Sequence, residues 1–174
     1  MCELIRRHAI RVCPWATLWC APDVEGIRTP YAGTAWRGPG VAVIRTDGSA
    51  PDTLSLAWHE LWHLLETWLP QDILDALDGA LATGPAYSRH PGTREEYLSL
   101  PHERRARAFA HLGMLAVEGV SLPSPGFFRD DPWTILRRAW DGDLGAEAAE
   151  RREATMNSER HRIAHRTFRT TLAA

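Results

Sequence analysis

The sequence predicts an α+β fold in which a small, mostly antiparallel sheet packs against two principal helices. Three observations predict this class. Residues 40–45 form a β-branched run typical of a strand, residues 52–68 and 101–117 carry apolar side chains at helical spacing, and Gly and Pro residues separate these segments. The 174 residues, 44% hydrophobic and 24% charged, suit one globular domain rather than a disordered chain.

The N-terminal third of the chain is expected to build the sheet. Residues 10–12 and 17–19 are predicted as short strands on either side of Pro14. Residues 41–45 are predicted as a further strand after a turn near residues 33–40. No internal repeat and no apolar run of about 18 residues, the length that spans a membrane, occurs in the sequence.

Two helices are expected in the middle of the chain. Residues 52–68 are predicted as the first, with Asp52 and Thr53 as N-cap candidates and Pro70 as its stop. Residues 72–81 are predicted as the second. The sheet and these helices belong to the main body of the domain, expected at residues 1–126.

Further helices are expected toward the C-terminus. One is entered through Ser99 and Pro101. Residues 127–174 should form a helical extension packed on the same body, with a short helix from Pro132 to Trp140. Two glycines are expected to interrupt that helix before a last helix from about residue 146; they are Gly142 and Gly145.

The most informative motif is HExxH, formed by His59, Glu60, Leu61, Trp62 and His63. Residues i and i+4 share a helix face, so both imidazoles can bind one metal ion at about 2.0–2.1 Å. Zinc lowers the pKa of bound water to about 7, and the neighbouring Glu60 can take its proton as the water attacks a carbonyl carbon. The alternative is a buried helix with ordinary histidine hydrogen bonds. An intact motif in a helix that follows a strand favours the metal site.

A catalytic zinc site usually has three protein ligands and one open position, so a third ligand is needed. The compact HExxHxxGxxH pattern is absent, because Glu66 and Leu69 occupy its Gly and His positions. Glu103, on the second principal helix, is the predicted third ligand. It begins a face of small side chains that allows close helix approach, which continues with Ala106, Ala110, Gly113 and Val117.

Five other residues are rival ligands: His102, Glu66, His90, Glu95 and Glu96. His102 points about 100° away from its neighbour Glu103, so only one of the two can face the metal. Glu66 shares the face of the two motif histidines and is expected either to support the site or to lie at the surface. A capping box formed with Thr93 explains the glutamates at 95 and 96, and His90 is expected in an exposed loop or as a donor to the substrate carbonyl.

HExxH followed by ExxAxxFA, here Glu103, Ala106, Phe109 and Ala110, resembles the ImmA/IrrE group of small zinc-dependent peptidases. The resemblance covers about residues 41–117. It implies an α+β domain in which a small sheet supports two active-site helices. It also implies zinc ligands at His59, His63 and Glu103, Glu60 as the base, and cytoplasmic cleavage of repressor-type regulatory proteins.

One position departs from that family. Its members often carry Asp or Asn four residues after the ligand Glu, where the side chain can orient a metal-bound histidine, whereas this chain has Arg107. Loss of such a partner typically costs about 10- to 100-fold in metal affinity or activity. Trp62, inside HExxH, is expected in the core, with the wall of a substrate cleft as the alternative.

Charge and cysteine content limit the classes of partner. A net charge of −2 does not indicate nucleic acid or an anionic membrane as the main partner. The Arg-bearing C-terminal segment could dock a partner or nucleic acid, but interspersed Glu residues favour a solvated helix. Cys2, Cys13 and Cys20 form no CxxC pair, and the N-terminus lacks the apolar core of a signal peptide, so a reducing, cytoplasmic location is expected.

The sequence thus predicts a zinc-dependent metallopeptidase that acts on a protein or peptide substrate. The strand at residues 41–45 is the candidate edge strand for pairing with an extended substrate, and the alternative is an internal strand. Two other functions stay open, a non-catalytic zinc-containing interaction module and a mobile-element anti-defence factor that works beside DNA. The sequence does not indicate the oligomeric state or the bond that is cleaved.

Overall fold

The computed structural model describes residues 2–21, 33–46, 50–81, 100–119 and 131–172, and these residues form an α+β fold. They contain six helices and a three-stranded mixed sheet. In chain order the elements are α1 (Cys2–Val12), β1 (Thr17–Ala21), β2 (Gly33–Trp36), β3 (Val41–Arg45), α2 (Ala50–Glu66), α3 (Gln71–Leu81), α4 (Pro101–Val117), α5 (Pro132–Asp141) and α6 (Asp143–Leu172). The expected domain boundary at residues 126 and 127 lies outside the described residues.

The sheet has the order β1-β3-β2, and it is mixed rather than mostly antiparallel. β2 and β3 form an antiparallel hairpin with Trp36 opposite Val41, and Gly40 closes its turn with a left-handed φ of 75°. β1 adds to the other side of β3 and runs parallel to it, with Thr17 opposite Val41. β3 is therefore the central strand, and the prediction of an edge strand at residues 41–45 is wrong.

Residues 10–12 belong to helix α1, so the prediction of a strand there is also wrong. The buried side chains of this segment are Ile5, Ala9, Val12 and Cys13, a spacing that places them on one helix face, while Ile10 is 56% exposed. Helical periodicity over the whole segment thus outweighs the local β propensity of one Ile and one Val.

Helix α2 is the centre of the core. The helix predicted at residues 52–68 is present, but it begins at Ala50 and ends at Glu66, so Asp52 and Thr53 lie inside its first turns rather than at its cap. Its apolar side chains are buried nearly all round, as expected of a helix with packing partners on every side. Those with no exposed surface are Ala57, Trp58, Leu61, Trp62, Leu64 and Leu65.

Helix α4 begins at Pro101, as predicted, and packs closely against α2. The contact depends on Gly113. A Cβ atom at this position would lie 2.6 Å from Cδ1 of Trp58 and 2.9 Å from Cζ3 of Trp140. The predicted face of small side chains therefore does bring the two helices together, and this approach positions Glu103 near α2.

The C-terminal helices differ in part from the prediction. Asp131 caps α5 by accepting a hydrogen bond from the backbone N–H of Thr134 at 3.1 Å, and Gly142 ends it with a φ of 98°. Gly145 lies inside α6 and does not break it. The close approach of the chain at Val12 accounts for a glycine here, since a Cβ atom would overlap the carbonyl oxygen of Val12. The first turns of α6 pack on α1 and α5, whereas residues 153–160 are exposed. Across the described ranges, no helix has both the length and the apolar character needed to cross a membrane.

Candidate metal centre

Three side chains predicted as ligands meet where α2 faces the first turn of α4. The Nε2 atoms of His59 and His63 lie 3.1 Å apart. The carboxylate of Glu103 reaches both, with Oε2 3.2 Å from Nε2 of His59 and Oε1 3.4 Å from Nε2 of His63. The group of His59, His63 and Glu103 could therefore hold a metal ion.

The spacing and chemistry of this group fit a divalent metal ion. Ligand atoms about 2.0–2.1 Å from a tetrahedral zinc ion lie about 3.3–3.4 Å from one another, close to the three separations seen between His59, His63 and Glu103. Two imidazole nitrogens that face each other cannot both carry a proton, whereas both can donate lone pairs to one cation. Two imidazoles with a carboxylate are a donor set typical of zinc enzymes.

The three side chains differ in solvent exposure, and the difference shows from which side solvent can reach the group. The Glu103 side chain is 3% exposed and that of His63 is 8% exposed, whereas His59 is 18% exposed. A buried carboxylate is costly unless it is paired, and the two imidazoles supply that pairing here. The group is therefore closed on the side of Glu103 and reachable from the side of His59.

Glu60 is buried beside this group and close to strand β2. Its side chain lies against Gly33, where a Cβ atom would come within 2.8 Å of Oε1 of Glu60 and 2.9 Å of Cδ1 of Leu56. Burial raises the pKa of Glu60, although the charges of His59 and His63 oppose this effect. A carboxylate with a raised pKa accepts a proton more readily, which suits the predicted role of a base.

Glu66 lies outside the group of three, but it contacts His63 directly. Its Oε1 lies 3.1 Å from Nδ1 of His63 and accepts a hydrogen bond from Arg37 at 3.0 Å. Its Oε2 accepts hydrogen bonds from Nε1 of Trp62 and Nε of Arg105, both at 3.1 Å. Of the two predicted places for Glu66, the structure favours support of the site over the surface.

These contacts shift the pKa values of both partners. Burial lowers the pKa of His63, but hydrogen bonds to Glu103 and Glu66 outweigh it and raise the value to about 9. Burial raises the pKa of Glu66, but His63 and the charges of Arg105 and Arg37 outweigh it and lower the value. A positive charge at His63 is thus favoured by the carboxylates on both sides of its ring.

Arg105 links this site to helix α3 and was not predicted as a site residue. Its side chain is 9% exposed, and NH1 donates to Oδ2 of Asp78 at 2.6 Å while Nε donates to Glu66. A signal was present in the sequence, because Arg105 shares a helix stripe with Phe109 and Leu112, and both are buried. A charged side chain on an apolar stripe requires a buried partner of opposite charge.

The remaining candidate residues do not belong to the group of three. Nε2 of His102 is 3.6 Å from Oε1 of Glu103, and its side chain is 34% exposed, so it lies at the rim. Arg107 donates from Nε to the backbone carbonyl oxygen of Glu103 at 3.2 Å, within its own helix. Trp62 has no exposed surface and packs against Phe109, so it belongs to the core and does not wall a cleft. The other rivals, at residues 90, 95 and 96, lie outside the described residues, as does Ser99.

No family model matches this chain, and no curated protein and no solved structure matches it significantly.

Proposed function

We propose that the chain is a zinc-dependent metallopeptidase that hydrolyses a peptide bond in a cytoplasmic, repressor-type regulatory protein. The observation that carries the proposal is the convergence of His59, His63 and Glu103 at ligand spacing, with the buried Glu60 beside them. The resemblance of HExxH and ExxAxxFA to the ImmA/IrrE group supports the class of reaction and of substrate.

Each of the four side chains has a defined task in this proposal. The side chains of His59, His63 and Glu103 would hold the zinc ion, which supplies Lewis acidity and lowers the pKa of a bound water molecule to about 7. Glu60 accepts the proton of the attacking water and passes it to the amine that leaves. Its raised pKa favours the first transfer, and the absence of a side chain at Gly33 leaves room for its carboxylate.

The substrate would pair with β2 rather than with β3. Within the described sheet, β3 has neighbours on both sides, while β2 has one neighbour and contacts α2. Gly33 places the start of this strand against Glu60. An extended peptide added to the edge of β2 that has no partner strand within the described residues would gain main-chain hydrogen bonds and bring a carbonyl group near the metal ligands.

The Glu60→Gln variant tests the proposal. The amide fills the same space without accepting the proton, so we expect fold and zinc content to stay and turnover to fall by about 10²- to 10⁴-fold. Purified protein should carry about one zinc per chain, and the His59→Ala/His63→Ala variant should carry none. Cleavage is followed by proteome-wide identification of new N-termini in cells that express each form.

Two results would contradict parts of the proposal. Identical cleavage patterns for the wild type and Glu60→Gln would exclude peptidase activity and leave a zinc-containing interaction module. Equal trace zinc in the wild type and in the double histidine variant would exclude the metal site itself.

A further inference from the structure

The buried carboxylate of Glu66 accepts hydrogen bonds from four side chains, two on each oxygen. The donors are His63 and Arg37 on Oε1, and Trp62 and Arg105 on Oε2, all at 3.0–3.1 Å. A carboxylate has about four lone-pair positions, so every acceptor position is used. Because the Glu66 side chain is 4% exposed and bound from four directions, it cannot rotate without breaking several bonds.

The bond to His63 determines which ring nitrogen faces the metal ligands. An ionised carboxylate accepts hydrogen bonds and cannot donate them, and Glu66 lies nearer to the ring, at 3.1 Å from Nδ1, than Glu103 does, at 3.4 Å from Nε2, so Nδ1 of His63 carries the proton of the neutral ring. In a neutral imidazole the lone pair is then on Nε2. Nε2 is the atom that lies 3.1 Å from Nε2 of His59 and 3.4 Å from Oε1 of Glu103.

We propose that Glu66 is the positioning residue of the metal centre, which fixes the tautomer and the ring direction of His63, and that Arg105 holds Glu66 in place. The inference rests on the proposed metal site. Members of the resembling family often carry an Asp or Asn four residues after the ligand Glu, where the side chain can orient a metal-bound histidine. In this chain Arg107 occupies that position and bonds to the carbonyl oxygen of Glu103, whereas Glu66 reaches His63 from within α2.

Arg105 connects Glu66 to two other helices. Its guanidinium group, on α4, joins Glu66 on α2 to Asp78 on α3. The charges of Arg37 and Arg105 are thereby balanced by the carboxylates of Glu66 and Asp78. The buried Arg105 is paired with both carboxylates. Removal of a partner that orients a metal-bound histidine typically weakens metal binding by about 10- to 100-fold, and we expect a loss in this range when Glu66 is changed.

The first test is the zinc affinity of Glu66→Gln, measured by competition with a chelating dye. The amide can turn its NH₂ group toward Nδ1 of His63, which moves the imidazole proton to Nε2 and blocks that atom as a ligand. Zinc affinity should fall by about 10- to 100-fold. Glu147→Gln is the matched control, because it makes the same change in the ion pair with Arg138, and it should leave zinc affinity unchanged.

The second test reads the tautomer directly and does not depend on metal. Nitrogen-15 NMR of the metal-free proteins at about pH 10, where imidazoles are neutral, should show a proton on Nδ1 of His63 in the wild type and on Nε2 in Glu66→Gln. Glu66→Asp keeps the charge for Arg105 but withdraws the carboxylate from Nδ1, so it provides a folded variant if the amide destabilises the protein. Its zinc affinity should also fall.

The outcomes separate this inference from the proposed function. If the wild type binds no zinc, the metallopeptidase proposal fails, while the NMR comparison still decides the role of Glu66. If the wild type binds zinc and both variants bind it within about twofold of wild type with the same His63 tautomer, Glu66 is not a positioning residue.

Discussion

Helices α2 and α4 contact each other in two regions with opposite chemistry. One is a polar cluster of imidazoles with buried carboxylates and a buried guanidinium group, formed by His59, His63, Glu66, Glu103 and Arg105. The other is an aromatic cluster, formed by His8, Trp58, Phe109 and Trp140 around Gly113. Since both regions join the same two helices, the proposed metal site can be compared directly with a purely structural contact.

The two clusters contribute to the fold in different ways. Burying charged groups costs free energy that pairing offsets only when the geometry is good, so the polar cluster fixes directions more than it stabilises. The aromatic rings bury large apolar surfaces, and each ring pair can add about 0.5–1.5 kcal/mol beyond burial. The rings of Trp58 and Trp140 meet edge to face at 5.3 Å, and His8 stacks on Trp140 at 4.5 Å. Stability should therefore depend mainly on the aromatic cluster and metal binding on the polar one.

The largest effect is expected for Trp58→Ala. This side chain has no exposed surface, so its removal should lower the free energy of unfolding by about 3–5 kcal/mol, measured by urea unfolding. Zinc affinity of the folded fraction should change by less than about threefold if the clusters are separate. Trp19→Ala is the control, because Trp19 is 64% exposed and its loss should cost less than about 0.5 kcal/mol. A large loss of zinc affinity in Trp58→Ala at a temperature where it is folded would show that the clusters are coupled.

Features that depend on spacing along the helices could be predicted from the sequence. The α+β class, the helix that carries HExxH and the meeting of Glu103 with His59 and His63 follow from periodicity and from a face of small side chains. The order of the strands could not be predicted, because strand pairing depends on residues far apart in sequence. A strand at residues 41–45 is equally compatible with a central and an edge position.

The surroundings of the site were the least predictable part. The bonds of Glu66 join α2 to Arg37 in the turn after β2 and to Arg105 on α4, and Arg105 continues to Asp78 on α3. No spacing rule relates these positions, since their contact follows from tertiary packing. The sequence could therefore identify Arg107 as a departure from the family pattern and place Glu66 on the helix face of His63, but it could not identify the two arginines that hold Glu66 there.

A smaller effect is expected for Gly113→Ala, because the added methyl group would push against the rings of the aromatic cluster. The added Cβ would lie 2.6 Å from Trp58 and 2.9 Å from Trp140, so rigid buried rings must move, at a cost of about 1–3 kcal/mol. The higher helix propensity of Ala offsets about 1 kcal/mol of this cost, so the net loss of stability should be up to about 2 kcal/mol. Urea unfolding of the wild type and the variant measures this difference.

Gly79→Ala is the matched control, because among the described residues no atom beyond its own stretch of α3 lies within 4 Å of its Cβ position. This change should stabilise the protein by up to about 1 kcal/mol. Like Trp58→Ala, Gly113→Ala should change zinc affinity by less than about threefold if the two clusters are separate. A gain of stability in Gly113→Ala as large as that in Gly79→Ala would contradict the close approach of the two helices.

The smallest effect concerns pH and the one titratable side chain of the aromatic cluster. Burial lowers the pKa of His8, and the charge of Arg11 acts in the same direction. Nδ1 of His8 lies 2.8 Å from NH2 of Arg11, a contact in which the neutral ring accepts a hydrogen bond. Because the unfolded chain binds this proton more readily, with a pKa near 6.5, the contribution of His8 to stability is complete above about pH 6.5 and is lost as the pH falls below that value.

His8→Phe keeps an aromatic ring between Trp58 and Trp140 but cannot titrate. The unfolding free energy of the wild type should therefore fall more steeply between about pH 7 and pH 5 than that of the variant, measured by urea unfolding at each pH. The carboxylates of the rest of the chain titrate in both proteins, so the difference between the two slopes isolates His8. Equal slopes would mean that the folded and unfolded states bind the His8 proton equally well. The pH dependence in this range would then arise outside the aromatic cluster.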